Sequence, residues 1–365
     1  MTAGQQAGGG SGPRRPARAR RAGLADLSPA YFGLVMATGI VSLAAQMQGH
    51  ATIARALYLL NIGQYPLLWG LYGARLLRHR RRVLADLTAH ATGPGYFTMV
   101  AATGVLAGQV ILLSGRYRLG LALWLLSVAL WLALTYAIFA AVTVRRHKPA
   151  LDQGINGGWL LAVVATQAVA TVAALLAAQP GQGWRIELNF VALATWLCGG
   201  MLYIWLMALI FFRYAFFRLQ PSDLTPPYWI NMGAMAISTL AGALLVTNAA
   251  QAPLLAELLP FLKGFSILYW ATGSWWIPML LVLGWWRHVH QGFPLRYDPL
   301  YWGLVFPLGM YSACTWQLDR ALGLGFLDPL AALFFWGALA AWAVVFAGML
   351  HRLAGLRAAG WGAAT

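Results

Sequence analysis

A histidine and an aspartate in one short loop form the pattern in this chain that most resembles a catalytic motif. His147 and Asp152 have the HxxxxD spacing of some acyltransferases, in which a carboxylate orients a general-base histidine. The pair directly follows Arg145 and Arg146, as is typical of a charged loop that sets membrane topology. A membrane acyltransferase is therefore kept as a third alternative, and we expect the chain not to be an enzyme.

Residues that bind metals, nucleotides or protons are missing from the apolar parts of the chain. The sequence has no Walker A, HExxH or HxE…CxxC pattern, and Cys198 and Cys314 lie singly inside apolar runs. The acidic residues and histidines fall in loops or near the ends of apolar runs. Because proton-coupled transporters usually carry an ionisable group at mid-membrane depth, a strongly proton-coupled mechanism is disfavoured. We expect no metal site and no cofactor.

The composition identifies the elements that must position any functional residue. Of 365 residues, 60% are hydrophobic and only 9% are charged, against about 25% in soluble domains. This indicates an all-α polytopic protein of the lipid bilayer. The net charge of +16 is spread along the apolar chain, so it does not indicate a nucleic-acid partner.

Ten apolar runs are long enough to cross a bilayer as helices. A basic, disordered tail (1–27) precedes a single ten-helix transmembrane domain (28–352), and a short tail (353–365) follows it. The predicted spans are 28–47, 52–74, 95–114, 119–143, 157–178, 188–212, 227–248, 260–283, 299–315 and 328–350. With both termini in the cytoplasm, 19 Lys and Arg residues lie inside and 6 outside, which predicts this orientation in a cell (inner or plasma) membrane.

An aromatic residue recurs near the start of each odd-numbered span, at intervals of 65, 63, 70 and 72 residues. The five are Tyr31, Tyr96, Trp159, Trp229 and Tyr301. Most of them follow a proline. At a helix start, proline costs no hydrogen bond, because the amide that it lacks would have no partner within the helix. The pattern predicts five helical hairpins, with the odd-numbered helices in an inner ring around a pore and the even-numbered helices in an outer ring.

A glycine lies eight residues after three of these aromatics, at Gly39, Gly104 and Gly309. Such glycines either line a pore or allow close helix packing, and both interpretations stay open. Gln167 has the same register in the fifth span and is a candidate to offer its amide to an anion. We predict that these four residues line the pore.

The polar groups inside the spans suit anions better than cations, because no acidic ring is available. We therefore predict an anion pathway with a positive cytoplasmic vestibule. Thr38 and Thr103 rank lower as pore residues, since they lie one residue before a register glycine and should face neighbouring helices. Further polar candidates are Gln109, Thr166, Asn231, Ser238, Thr239 and Ser312.

Several short motifs, in order along the chain, resemble the tellurite-resistance/C4-dicarboxylate transporter family. They are the sequence from Ser28 to Ser42, Gly95 to Thr98 in the third span, and Trp302 to Pro307 in the ninth. That family includes slow-type anion channels, malate permeases and sulfite exporters. The resemblance covers roughly residues 27 to 352, and it implies two five-helix rings, a homotrimer with one pore per subunit, and a phenylalanine on the ninth helix that occludes the pore.

Carried onto this chain, the occluding phenylalanine is Phe306, beside Pro307 as a helix hinge. In the internal repeat, Met36 and Ala101 occupy the register of Phe306 and are also predicted to line the pore. The resemblance implies passive transport of small inorganic anions, sulfite or C4-dicarboxylates. A proton- or exchange-coupled dicarboxylate or sulfite exporter is the alternative.

Overall fold

The structure, a computed structural model, describes residues 23–361, and the side chains of 23–355. Within that part of the chain every regular element is helical, which confirms the predicted all-α class. Ten long helices follow one another: α1 Phe32–Met47, α2 Ala51–Leu87, α3 Phe97–Ser114, α4 Tyr117–Val144, α5 Leu161–Ala177, α6 Arg185–Phe216, α7 Ile230–Asn248, α8 Leu259–Trp285, α9 Trp302–Leu322 and α10 Asp328–Trp361. By length and composition, eight of them are apolar enough to cross a membrane. Helices α2 and α9 carry more polar residues and are not among these eight.

Each odd-numbered helix is preceded by a short 3-10 turn. These turns are Pro29–Tyr31, Gly93–Tyr96, Gly157–Leu160, Pro226–Trp229 and Pro299–Tyr301. Side-chain oxygens of Ser28, Asn156 and Asp298 accept hydrogen bonds from the first backbone amides of three of them. The repeated helix starts predicted from proline and aromatic residues therefore correspond to one recurring local structure.

The predicted spans agree with the helices to within a few residues at most of their ends, but three helices run further. Helix α2 continues to Leu87, α9 to Leu322 and α10 to Trp361. Residues 353–361, predicted as a tail, thus extend α10. Of the predicted N-terminal tail, Leu24–Asp26 form a 3-10 turn, and residues 1–22 lie outside the described residues.

The odd-numbered helices contact one another in a cycle. Helix α1 packs against α3, α3 against α5, α5 against α7, α7 against α9, and α9 against α1. Each even-numbered helix packs chiefly on the odd-numbered helix before it and also on the one after it in that cycle. Burial follows this division, since α5 is buried along its length whereas α4 exposes most of its surface.

A polar bond from an aromatic side chain joins each even-numbered helix to the next odd-numbered helix. The five pairs are Tyr65–Thr103 (2.8 Å), Trp131–Thr166 (2.8 Å), Trp196–Ser238 O (2.8 Å), Trp270–Thr315 (3.0 Å) and Trp342–Thr38 (2.9 Å). In four of them the partner is a threonine hydroxyl. These threonines of the odd-numbered helices, Thr38 and Thr103 among them, are therefore hydrogen-bond partners of neighbouring helices.

Helices α2, α8 and α9 each contain a proline, at Pro66, Pro278 and Pro307, whose missing amide favours a kink. The break in helical backbone angles that the structure records instead lies at His79 of α2, with φ −134° and ψ 36°. Helices α8 and α9 continue through their prolines. The missing amide of Pro307 leaves the carbonyl of Gly303, in the first turn of α9, without its helical partner.

Candidate functional site

Two cavities lie one after the other along the odd-numbered helices. The larger, which we name the polar cavity, has a volume of about 910 Å³ and is lined by the first turns of all five helices and the loops before them. The smaller, the apolar cavity, has a volume of about 400 Å³ and is lined by residues further along the same helices. Because all five helices contribute to both, the cavities share one axis.

A closed layer separates the two cavities. On α9, Phe306 lines the polar cavity and Met310, one turn later, lines the apolar cavity. On α1, Met36 lines the polar cavity and Ile40, one turn later, lines the apolar cavity. These four side chains are 1–2% exposed and lie where one cavity ends and the other begins, and we call the level they occupy the closed layer. One helical turn, about 5.4 Å, thus separates the two sides.

The predicted site residues divide into two groups. Met36 and Phe306 line the polar cavity and Gly104 lines the apolar cavity. Ala101 is fully buried on α3, between the levels of the two cavities, and lines neither of those described. Pro307 packs against α7, where a Cβ on Gly233 would lie 2.7 Å from its Cγ.

Gly39 and Gly309 face neighbouring helices, and the prediction that they line the pore is wrong. A Cβ at Gly39 would overlap Val105 of α3, and one at Gly309 would lie 3.0 Å from Cγ2 of Ile40 on α1. Gly104 likewise approaches α5, at 3.0 Å from the Cβ of Ala168. The repeated glycine is therefore a contact between consecutive odd-numbered helices, because the missing side chain lets their backbones approach.

Gln167 also faces away from the cavities, and its predicted pore-lining role is wrong as well. Its Nε2 donates a 3.0 Å hydrogen bond to the carbonyl of Trp196 on α6, and its side chain packs on Gly199. The residue is completely buried. A long side chain at this register can reach the even-numbered helix α6, whereas a glycine has no side chain to do so.

The remaining polar candidates are also buried and bonded to neighbouring groups. Gln109 accepts from Asn61 at 2.7 Å, and Asn231 donates to Tyr214 at 3.1 Å. The hydroxyls of Thr166, Ser238, Thr239 and Ser312 donate to backbone carbonyls. Gln109, Asn231 and Ser312 thus bond to neighbouring helices, whereas Thr166, Ser238 and Thr239 donate to a carbonyl of their own helix.

Charged side chains of both signs line the polar cavity. Its side chains therefore do not form the positively charged vestibule that we predicted. Three arginines and four aspartates contribute: Arg213, Arg218, Arg352, Asp26, Asp152, Asp223 and Asp298. Partial positive charge comes instead from the backbone amides of the five helix starts, which all lie at this cavity. The apolar cavity is lined mainly by aliphatic side chains, with Gln46, Thr171 and Gln317 as its polar members.

The acyltransferase pattern does not form a dyad in the part of the chain that the structure describes. His147 is exposed, and no hydrogen bond or ion pair joins it to Asp152, which instead lines the polar cavity. Among the described residues no group of three or more histidine, cysteine or carboxylate side chains is placed to hold a metal ion.

Residues 26–350 match the family described as voltage-dependent anion channel. The chain belongs to the voltage-dependent anion channel family. The match extends from just before the first helix start into α10, so it includes every lining residue of both cavities except Arg352. It confirms the family resemblance drawn from the motifs around Tyr31, Tyr96 and Phe306.

Relatives of this anion channel family member are membrane proteins and transporters. The chain is 42% identical over 153 residues to an uncharacterized membrane protein of Mycobacterium tuberculosis, covering 42% of this chain and 77% of the relative. It is 23% identical to an uncharacterized transporter of Methanocaldococcus jannaschii, over 90% of this chain and 95% of the relative. A sulfite efflux pump of Trichophyton rubrum is also 23% identical, over 90% of this chain and 91% of the pump.

Sequence reasoning missed the charged residues that meet inside the polar cavity. Arg213 lies near the end of α6 and Asp223 in the loop that follows it, and in the sequence both are charges near the ends of predicted spans. Their pairing, at 3.6 Å, depends on how the loop between α6 and α7 folds back. No spacing pattern in the sequence signals such a contact.

Proposed function

We propose that this member of the voltage-dependent anion channel family is a passive conduit for small anions, built from ten membrane-spanning helices. The odd-numbered helices form the inner ring of five around the pathway, and the even-numbered helices form the outer ring. The observation that carries the proposal is the pair of cavities on one axis, each lined by all five odd-numbered helices and separated by a single closed layer. The cyclic contacts among those helices support the ring.

Phe306 is the gate of the proposed pathway. It is the largest side chain of the four that flank the closed layer, and it lines the cavity from which an ion would approach. Rotation of its ring toward the wall would join the two cavities. The proposed hinge is the first turn of α9, where Pro307 leaves the Gly303 carbonyl free and weakens the helical hydrogen bonding beside the ring.

Anions are favoured over cations by the electrostatics of the helix starts. Five helices begin at the polar cavity, and each N-terminus carries partial positive charge that stabilises an anion nearby. The cytoplasmic orientation of this cavity follows from the bias of Lys and Arg toward the same side of the predicted spans. We place the protein in a cell membrane with both termini inside.

A coupled exporter of dicarboxylates or sulfite is the second candidate. The similarity to a sulfite efflux pump supports it and makes sulfite one substrate to test, together with chloride, nitrate, malate and succinate. Against coupling, the carboxylates and histidines of the sequence fall outside the middle of the predicted spans.

Currents from purified protein in proteoliposomes or planar bilayers distinguish the two candidates. A passive conduit gives an anion current whose reversal potential follows the anion gradient and does not change when a pH gradient is added. A reversal potential that shifts with the pH gradient would show coupling to protons. Absence of any anion flux from well-folded protein would contradict the proposed function itself.

A further inference from the structure

Arg213, near the end of α6, has a guanidinium group that the fold holds from one side. Its Nη1 donates to the carbonyl of Ile155, at 3.2 Å, and to the hydroxyl of Tyr228 at the start of α7. The side chain is only 8% exposed, and it lines the polar cavity. The guanidinium is therefore fixed in position and oriented by the protein.

The other edge of the same guanidinium is not saturated. Nη2 lies 3.6 Å from Oδ2 of Asp223, which is longer than a hydrogen bond. Within the part of the chain that the structure describes, neither Nη2 nor Nε makes a hydrogen bond. A guanidinium has five N–H donors, so the donors of Nη2 and Nε form a free planar fork.

Asp223 belongs to the loop between α6 and α7, and its carboxylate is the charged group that faces this fork. It also accepts a 3.0 Å hydrogen bond from the backbone amide of Gln220 in the same loop. With 31% of its side chain exposed, Asp223 is far less enclosed than Arg213. The carboxylate therefore lies where an anion would bind, and it is held mainly by a loop.

We propose that the Nε–Nη2 edge of Arg213 is a binding site for a small oxyanion in the polar cavity, and that Asp223 is an intramolecular competitor for it. An oxyanion that presents two oxygens fits the planar fork and takes both hydrogen bonds, which Asp223 does not make at 3.6 Å. This inference rests on the proposed function, because it assigns a capture site to the same anion pathway. Binding displaces the Asp223 side chain toward solvent.

The test compares two aspartates that line the same cavity. Asp223→Asn removes the competing charge, while its amide oxygen still accepts the hydrogen bond from Gln220. Asp152→Asn is the matched control, since it removes one negative charge from the same cavity and has no ion-pair partner among the described residues. Nitrate is the probe, added in place of fluoride at constant ionic strength, and the thermal unfolding midpoint in detergent reports binding.

We expect the Asp223→Asn protein to bind nitrate severalfold more tightly than the natural protein, and the Asp152→Asn protein to stay within about twofold of it. Equal shifts in both variants, or no shift in Asp223→Asn, would overturn the inference. Asp223→Ser gives the same comparison if the asparagine variant assembles poorly. Failure of the proposed function is seen separately, as natural protein that passes no nitrate in proteoliposomes.

Discussion

The glycine eight residues after the first aromatic residue has the same role in α1, α3 and α9, which is to let a neighbouring odd-numbered helix approach. Gly39→Ala should lower the free energy of unfolding by about 1–3 kcal/mol, because the added methyl would overlap Val105. Gly63→Ala in α2 is the control, since a Cβ there meets nothing within 4 Å. Thermal unfolding in detergent measures both. Equal stability of the two variants would contradict a packing role for Gly39.

Gln167 also lies eight residues after an aromatic residue at a helix start, but its side chain contacts the even-numbered helix α6. Gln167→Ala should leave the permeability of nitrate relative to chloride unchanged, because the side chain lines neither described cavity. Loss of its bond to the Trp196 carbonyl should cost about 0.6 kcal/mol of stability. Reversal potentials under mixed-anion conditions provide the first measurement. A changed permeability ratio in a variant of normal stability would return Gln167 to the pore.

Among the helices, aromatic donors on the even-numbered helices fix how these pack on the odd-numbered helices. Trp342 of α10 donates to Thr38 of α1, which is far away in sequence. In a double-mutant cycle, Trp342→Phe and Thr38→Val should show a coupling of about 0.6 kcal/mol, with up to about 1.7 kcal/mol reached in membrane proteins. Additive effects of the two substitutions on thermal unfolding would argue that the bond contributes nothing.

Helix positions were predictable because a span of about 20 apolar residues leaves a strong signal. The extension of α2 to Leu87 was not, because its arginine-rich part has the composition of a loop. The structure supplies the missing cause: Arg75, almost fully buried in α2, pairs with Asp86 and donates to the Ala25 carbonyl at 3.1 Å. These contacts hold the segment beyond His79 in helical form against the first helix start.

Over the whole molecule, the large hydrophobic side chains on the surface belong mostly to the even-numbered helices. Ile204 of α6, Leu281 of α8 and Trp336 of α10 are each more than half exposed. Together with the family resemblance, this surface leads us to predict a homotrimer with contacts made by even-numbered helices. Native mass measurement in mild detergent should give three copies. Monomer alone across a range of detergents and concentrations would contradict that assembly.

The candidate site could be predicted only in part from the sequence. The family resemblance pointed to Phe306, and the internal repeat then placed Met36 at the same depth along its helix; both line the polar cavity. It was harder to predict which way a residue faces around its helix axis. Gly39, Gly309 and Gln167 all face neighbouring helices. The Arg213–Asp223 pair depends on loop folding, for which no periodic signal exists.

The central claim is that anions cross along the axis of the odd-numbered helices and that Phe306 closes the way. The most direct measurement is anion conductance of Phe306→Ala beside Phe97→Ala, in proteins of matched expression and assembly. Phe97 is an equally buried phenylalanine of an inner helix, and it lines neither described cavity. We predict a conductance several times that of the natural protein for Phe306→Ala and no increase for Phe97→Ala. Unchanged conductance in a well-folded Phe306→Ala protein, or an equal increase in both, would contradict the account.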